Sequence, residues 1–367
     1  MKKMLISKLF LLLSIIVLLS GCGKVNEPDG NIVNSPQKDM TDQQKPSTIP
    51  TPMPSVAPTQ IDLEKVKPNE MGKIMVVMFH NFVESFTPSK WDKGEYTTTF
   101  SSFEKLLGEL YEKGYRLISL DDYLNNNINV PAGTIPMVFT FDDGTDGQFS
   151  LVKEGDKLVA NKKSAVGIIE EFNKTHPDFG LKGTFFVNLG GETFKGEGTL
   201  PERLQYLIDK GFDIGNHTMN HAHLNEIKTA EKINEEIGGN QKKMLELIPG
   251  YNFKFFSLPF GQASKNLKEH VVRGQYQGVS YDNKIIVEVG WDPAHSPVSK
   301  NFDPLSTHRV RSSGIKPVDA DLEWWLKNMS RSEQYVSDGN PQTVTVPEVK
   351  KDGVNLDSLK DKKFITY

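Results

Sequence analysis

From Met71 onward the chain alternates between two hydrophobic patterns. Short, nearly continuous apolar runs (GKIMVVMF, YRLISL, PMVFTF, GTFFVN, FDIGNH, FKFFSLP) have the length and the β-branched and aromatic content of buried strands. GVSY and KIIVEV predict two more. The longer stretches between them carry apolar residues at helical spacing. Phe103, Leu106, Leu107, Leu110 and Tyr111 form one such stripe, which Gly114 stops. PERLQYLIDKG and the polar stretch 227–247 predict two further helices. Strands separated by helices imply a parallel sheet, open or closed into a barrel, because parallel neighbours need a crossover connection. In a barrel of this kind the loops at the carboxyl ends of the strands build the active site. Directly after Gly147, FSLV and KLVA flank KEGD and predict a β-hairpin, followed by a helix over SAVGIIEEFNK.

The residues that follow the predicted strands are not the usual turn formers. PMVFTF runs into Asp142, Asp143 and Gly144; FDIG into Asn216, His217 and, four residues on, His221; IMVVMF into His80; FKFFS into Leu258-Pro259-Phe260-Gly261. Successive side chains of an extended strand oppose each other. Asp142 and Asp143 can therefore share a site only where the chain leaves the sheet, a turn that Gly144 permits. A single helical turn would place His217 and His221 on one face. Two imidazoles and one carboxylate, with a fourth position for water, make an open catalytic zinc arrangement, and the second carboxylate is then free to act as base.

Composition bounds the setting. The chain has 367 residues and a formal net charge of −4, so it lacks the basic face that nucleic-acid phosphates require. It starts with Lys2, Lys3 and Lys8, then an apolar run of about 12 residues, whereas a bilayer span needs roughly 20. This is an export signal over 1–21. Cys22, the single cysteine, has neither a disulfide partner nor thiolate companions. Together with Leu19, Ser20 and Gly21 it resembles the bacterial lipoprotein box, which implies lipidation of Cys22 and a place on the extracellular face of the cell membrane. Residues 22–70, rich in proline, serine and threonine, read as a disordered tether, and 71–367 as the working domain.

FTFDDG, HTMNH and FSLPFG, in that order and at strand ends, resemble the motif set of the polysaccharide deacetylases, carbohydrate esterase family 4. The resemblance implies a distorted (β/α) barrel of about seven parallel strands. It also implies metal-dependent hydrolysis of acetyl groups, usually N-acetyl, on peptidoglycan, N-acetylglucosamine polymers or other extracellular polysaccharides. Asp142 then matches the general base acting on a metal-bound water, and Asp143, His217 and His221 match the metal ligands. Zinc suits two histidines and a carboxylate, although cobalt, nickel or manganese also serve such sites. The backbone N–H of Phe260 matches the oxyanion donor.

Two positions depart from the family pattern. Ser257 stands where many relatives carry an arginine that orients the base, which leaves Asp142 without an obvious partner. No late motif supplies the general acid, so His80, His295 and His308 remain as candidates. Trp91, Tyr96, Phe149 and Trp291 are candidates for stacking on sugar rings, or for core and rim positions. Three readings follow: a tethered deacetylase, a weakened relative that binds wall polysaccharide without turnover, and a metal amidohydrolase acting on a small amide. A serine or cysteine hydrolase is disfavoured, since the domain has no GxSxG elbow and no cysteine.

Overall fold

Eight short apolar segments pair side by side, all parallel, in a computed structural model that describes residues 61–316, 318 and 320–367. In chain order they are β1 (Met75–Phe79), β2 (Tyr115–Leu117), β3 (Ile135–Asp143), β4 (Thr184–Val187), β5 (Asp213–Asn216), β6 (Phe255–Ser257), β7 (Ile285–Val287) and β8 (Val310–Arg311). Seven of them form one path, β7-β6-β5-β4-β3-β1-β8, and β2 pairs with the first half of β3. The path curls back on itself. Thr307, just ahead of β8, donates its N–H to Ile286 and accepts one from Glu288, so the two end strands meet. This is the distorted (β/α) barrel that the family resemblance implies, and it closes the choice between open sheet and barrel that the hydrophobic pattern left. The predicted signal segment, Cys22 and the tether up to residue 60 lie outside the described residues.

The two-residue period of the strands sorts the core into an inner and an outer layer. Val76, Val138, Phe186, Phe255, Ile285 and Val287 fill the barrel. Val77, Phe139, Phe141, Phe185 and Val310 face outward against helices α1 (Phe100–Glu112), α2 (Ala165–Thr175) and α3 (Leu200–Asp209). Phe79, Phe141 and Phe185 stack in series at 5.4 and 4.6 Å, just beneath the strand ends. Each buried Phe is worth about 1.5–3 kcal/mol, so the rim of the barrel rests on a stiff aromatic layer. Phe149 belongs to this core, whereas Trp91 and Trp291 are exposed.

The connections follow the sequence signals, with three differences. Thr99, Thr199 and Thr229 each cap a helix by accepting a backbone N–H three residues on. Because Thr229 is the cap, the helix expected from 227 starts at Ala230 and runs to Leu247 (α4). Leu151–Glu154 and Lys157–Ala160 form the predicted hairpin. The second difference is GVSY, which lies outside the barrel and pairs antiparallel with Arg273–Tyr276. The third is the start of the folded body. Residues 63–70, expected in the tether, include the short helix Leu63–Val66, and Asn69 and Glu70 are buried. Glu70 accepts the N–H groups of Asp338 and Thr345, which joins this segment to the strand Thr343–Val346 near the C-terminus.

Candidate active site

The inward-facing series of several strands ends in polar side chains at the mouth of the barrel. On β3 the series Val138, Thr140, Asp142 points inside, and on β1 the series Ile74, Val76, Met78 leads to His80. His217 follows Gly215 on β5, Ser257 follows Phe255 on β6, and Arg309 precedes Val310 on β8. Strict alternation would send Asp143 to the outer face. Asp143 instead has φ of 82°, in the left-handed region where a side chain is strained, and this swings its carboxylate to the same side as its neighbour. The turn therefore begins one residue earlier than Gly144.

Asp143, His217 and His221 bring one ligand atom each within 4.8 Å of one another. The predicted helical turn between the two histidines is absent. They meet through a loop in which Thr218 and His221 have φ of 65° and 53°. Buried amides hold that loop. Asn216 Oδ1 accepts the Thr218 N–H at 2.9 Å, Asn240 of α4 donates to Asn216 Oδ1 at 2.9 Å, and Asn188 donates to the carbonyls of His217 and Thr218. Glu236, also on α4, accepts the backbone N–H of Asn220.

The donor set fits a divalent cation. The Nδ1 of His217 bonds the carbonyl of Ser257 at 2.8 Å, which leaves Nε2 aimed at Asp143. Asp143 Oδ1 lies 3.5 and 3.4 Å from the Nε2 atoms of His217 and His221, too far for good hydrogen bonds, and this buried oxygen has no other partner among the described residues. Burial lowers the pKa of His217, but the charges of Asp142 and Asp143 outweigh it and the net shift is upward. Burial, aided by the His217 charge, pushes His221 down. One carboxylate serves two imidazoles poorly without a cation between them.

Asp142 does not lack an orienting partner. Arg309, 0 % exposed, donates Nη1 to Oδ1 and Nη2 to Oδ2 of Asp142, both at 2.7 Å. Its other N–H groups reach Glu288 O at 2.9 Å, Thr140 Oγ1 at 3.1 Å and Ser257 Oγ at 2.9 Å, so all five donors of the guanidinium are placed. Ser257 Oγ also meets Asp142 Oδ2 at 3.1 Å. The small serine leaves room for an arginine that arrives from β8. Burial alone would raise the Asp142 carboxyl, but Arg309 and His217 override it and hold it well below the usual carboxylate range. Sequence reasoning missed Arg309 because no motif carries it. The available signal was the alternation His308-Arg309-Val310-Arg311 around one apolar residue.

Of the three candidate acids, His80 joins this site. It lies in the fields of Asp142, Asp143, Arg309 and His217, and burial is the main cause that lowers its pKa. Gln148, fully buried, donates Nε2 to the carbonyls of His80 and Asp142 and so ties the two strand ends together. His308 faces away from the barrel interior because its neighbour Arg309 faces in. Its Nδ1 bonds Asp292 at 2.8 Å, and Asp292 meets Lys73 at 3.4 Å. With His295 it lines a separate cavity of about 230 Å³ against Tyr123 and Phe302. Phe260 has φ of 58°. Its ring stacks flat on His223, with centroids 3.5 Å apart, and stands against His221 at 4.6 Å, so the predicted oxyanion donor lies beside a candidate metal ligand.

The parallel (β/α) barrel thus carries at its mouth a cluster of two histidines and one aspartate whose donor set suits a divalent cation. Residues 130–279 match the family described as polysaccharide deacetylase. Over 136 residues it is 30% identical to a peptidoglycan-N-acetylglucosamine deacetylase of Bacillus cereus; the match covers 37% of this chain and 40% of that protein's length. The fold is similar to a Streptococcus pyogenes deacetylase in complex with acetate, with a TM-score of 0.52 and 17% identity over 70% of this chain and 98% of the other. It is also similar to a Bacillus cereus polysaccharide deacetylase, with a TM-score of 0.50 and 19% identity over 69% of this chain and 68% of the other.

Proposed function

We propose that this protein hydrolyses acetyl groups, N-acetyl in the first instance, on an extracellular or cell-wall polysaccharide such as peptidoglycan or an N-acetylglucosamine polymer. One observation carries the reading: a buried, ionised and doubly anchored Asp142 stands beside the Asp143–His217–His221 cluster. Those three residues would hold the divalent metal, zinc by the chemistry of the donors, which when bound supplies Lewis acidity to water and to the acetyl carbonyl. Asp142 takes the proton of the attacking water on its carboxylate, and the Arg309 fork keeps that carboxylate aimed while the proton arrives. The Phe260 N–H donates to the oxyanion that develops on the acetyl group. His80, at the end of the strand next to that of Asp142, would return a proton to the departing amine. Upstream, Cys22 carries the lipid that would fix the protein to the outer face of the membrane, with the segment up to residue 60 as tether.

The alternative, a relative that binds polysaccharide without turnover, has no chemical use for the Arg309–Asp142 pair. Acetate release from peptidoglycan, N-acetylglucosamine oligomers and acetylated xylan separates the two, with and without a chelator and zinc return. Turnover that is lost on chelation and restored by zinc is the expected result. In Asp142→Asn, turnover should fall at least a thousandfold while zinc still binds. In His217→Ala both should be lost. Full activity of Asp142→Asn would remove the base assignment.

A further inference from the structure

The inward series on β8 continues past Arg309. Extended backbone returns to the same face every second residue. Arg311 therefore projects on the side of Arg309, one step nearer the mouth, while Val310 between them is buried in the outer core. The Arg311 guanidinium lies 5.2 Å from the centre of the Tyr96 ring. Tyr96 stands edge-on to His80 at 5.1 Å, and His80 senses Asp142, Asp143 and His217. Arg311 thus borders the reacting pocket.

Among the described residues, the Tyr96 ring is the contact its charge makes. Each other arginine has a polar partner: Arg116 has Asp178, Arg203 has backbone carbonyls, Arg273 has Glu269, Arg309 has Asp142 and Arg331 has the Gly133 carbonyl. Among the described residues, no carboxylate lies within 4.0 Å of Arg311, and no protein acceptor takes one of its N–H groups. A guanidinium with a face against an aromatic ring keeps its edge free, and that edge matches the paired oxygens of a carboxylate or phosphate.

We propose that Arg311 determines specificity by binding an oxyanion substituent, a carboxylate or a phosphate ester, carried by the polymer next to the acetylated sugar. This rests on the deacetylase reading above. The test uses the full chain and its Arg311→Gln and Arg311→Lys variants. Initial rates are measured on N-acetylglucosamine oligomers that are neutral, uronate-bearing or phosphate-bearing. The wild type should prefer one charged series, and which one it prefers identifies the oxyanion. Arg311→Gln should erase that preference through a rise of about tenfold or more in KM for the charged series relative to the neutral one, the size expected for a charge-assisted hydrogen bond. Arg311→Lys should keep part of it. Equal KM values for all three series in the wild type, or a preference that survives in Arg311→Gln, would overturn the proposal. A uniform fall in kcat with the KM ratio intact would show that Arg311 only braces Tyr96. If the wild type releases no acetate from any series, the deacetylase reading fails instead. Calorimetric binding of charged against neutral oligomers to wild type and Arg311→Gln then decides the role of Arg311 independently.

Discussion

Asp142 and Arg309 are buried together, so neither can be altered without exposing the other to a low-dielectric interior. Arg309→Met removes one partner of a buried pair and is expected to cost about 3–5 kcal/mol of stability, read by thermal or denaturant unfolding. Arg309→Lys keeps a charge but not the fork, and is the cleaner probe of function. With Arg309 weakened, burial dominates and the Asp142 carboxyl rises. A base with a raised pKa is protonated at the acid end of the profile. The acidic limb of the kcat/KM profile should therefore move to higher pH in Arg309→Lys, by one pH unit or more. An unmoved limb would mean that Asp142 is not the group titrating there. The same geometry explains the serine at position 257: its hydroxyl accepts from Arg309 and donates to Asp142 in the space where a larger side chain would collide with the incoming guanidinium.

Among the elements, α4 does more than cover the sheet. Asn240 is fully buried in a helix interior, where its amide bonds the Val187 carbonyl at 2.8 Å and the Leu189 N–H at 2.9 Å as well as Asn216. Asn240→Leu would leave these groups and the His217–His221 loop unsupported. Zinc affinity is expected to fall ten- to a hundredfold, as it does when outer partners of ligands are lost, and competition with a chelator measures this. This element also marks the limit of what the sequence made legible. Seven of the eight barrel strands, the 151–160 hairpin and the stripes of α1 and α3 follow from local period and turn residues, so they could be read directly. The candidate ligands Asp143, His217 and His221 could be read as types at strand ends. The way they meet could not, because the left-handed residues Asp143, Thr218 and His221 are held there by tertiary contacts. Arg309 escaped for a related reason. β8 is two residues long, too short to give a period, and the arginine's partner lies 167 positions away.

For the molecule as a whole, the junction between residues 69–70 and the C-terminal strand sets a second acid–base property. Burial, reinforced by the Asp338 charge, pushes the Glu70 carboxyl up to about 8. Tyr335 and Lys362 also face this pair. Between the ordinary value of 4.5 and about 8, the folded state keeps a proton that the unfolded chain has released. Stability should therefore fall as pH rises through that window, at up to roughly 1.4 kcal/mol per pH unit, and level off above it. Asp338→Asn keeps an oxygen for the Asn340 N–H and removes the neighbouring charge, so its melting temperature should decline less steeply with pH than that of the wild type. The same junction has a mechanical meaning. Tension applied ahead of residue 61 would meet, before β1, the Tyr367 hydroxyl on the Pro68 carbonyl, the backbone bonds of Asn69 and Glu70 to Val336 and Thr345, and the Asn69 amide bonds to Ser332 and Gln334. Such a load would pass to the C-terminal segments before it reached β1, and the mouth of the barrel lies outside that path.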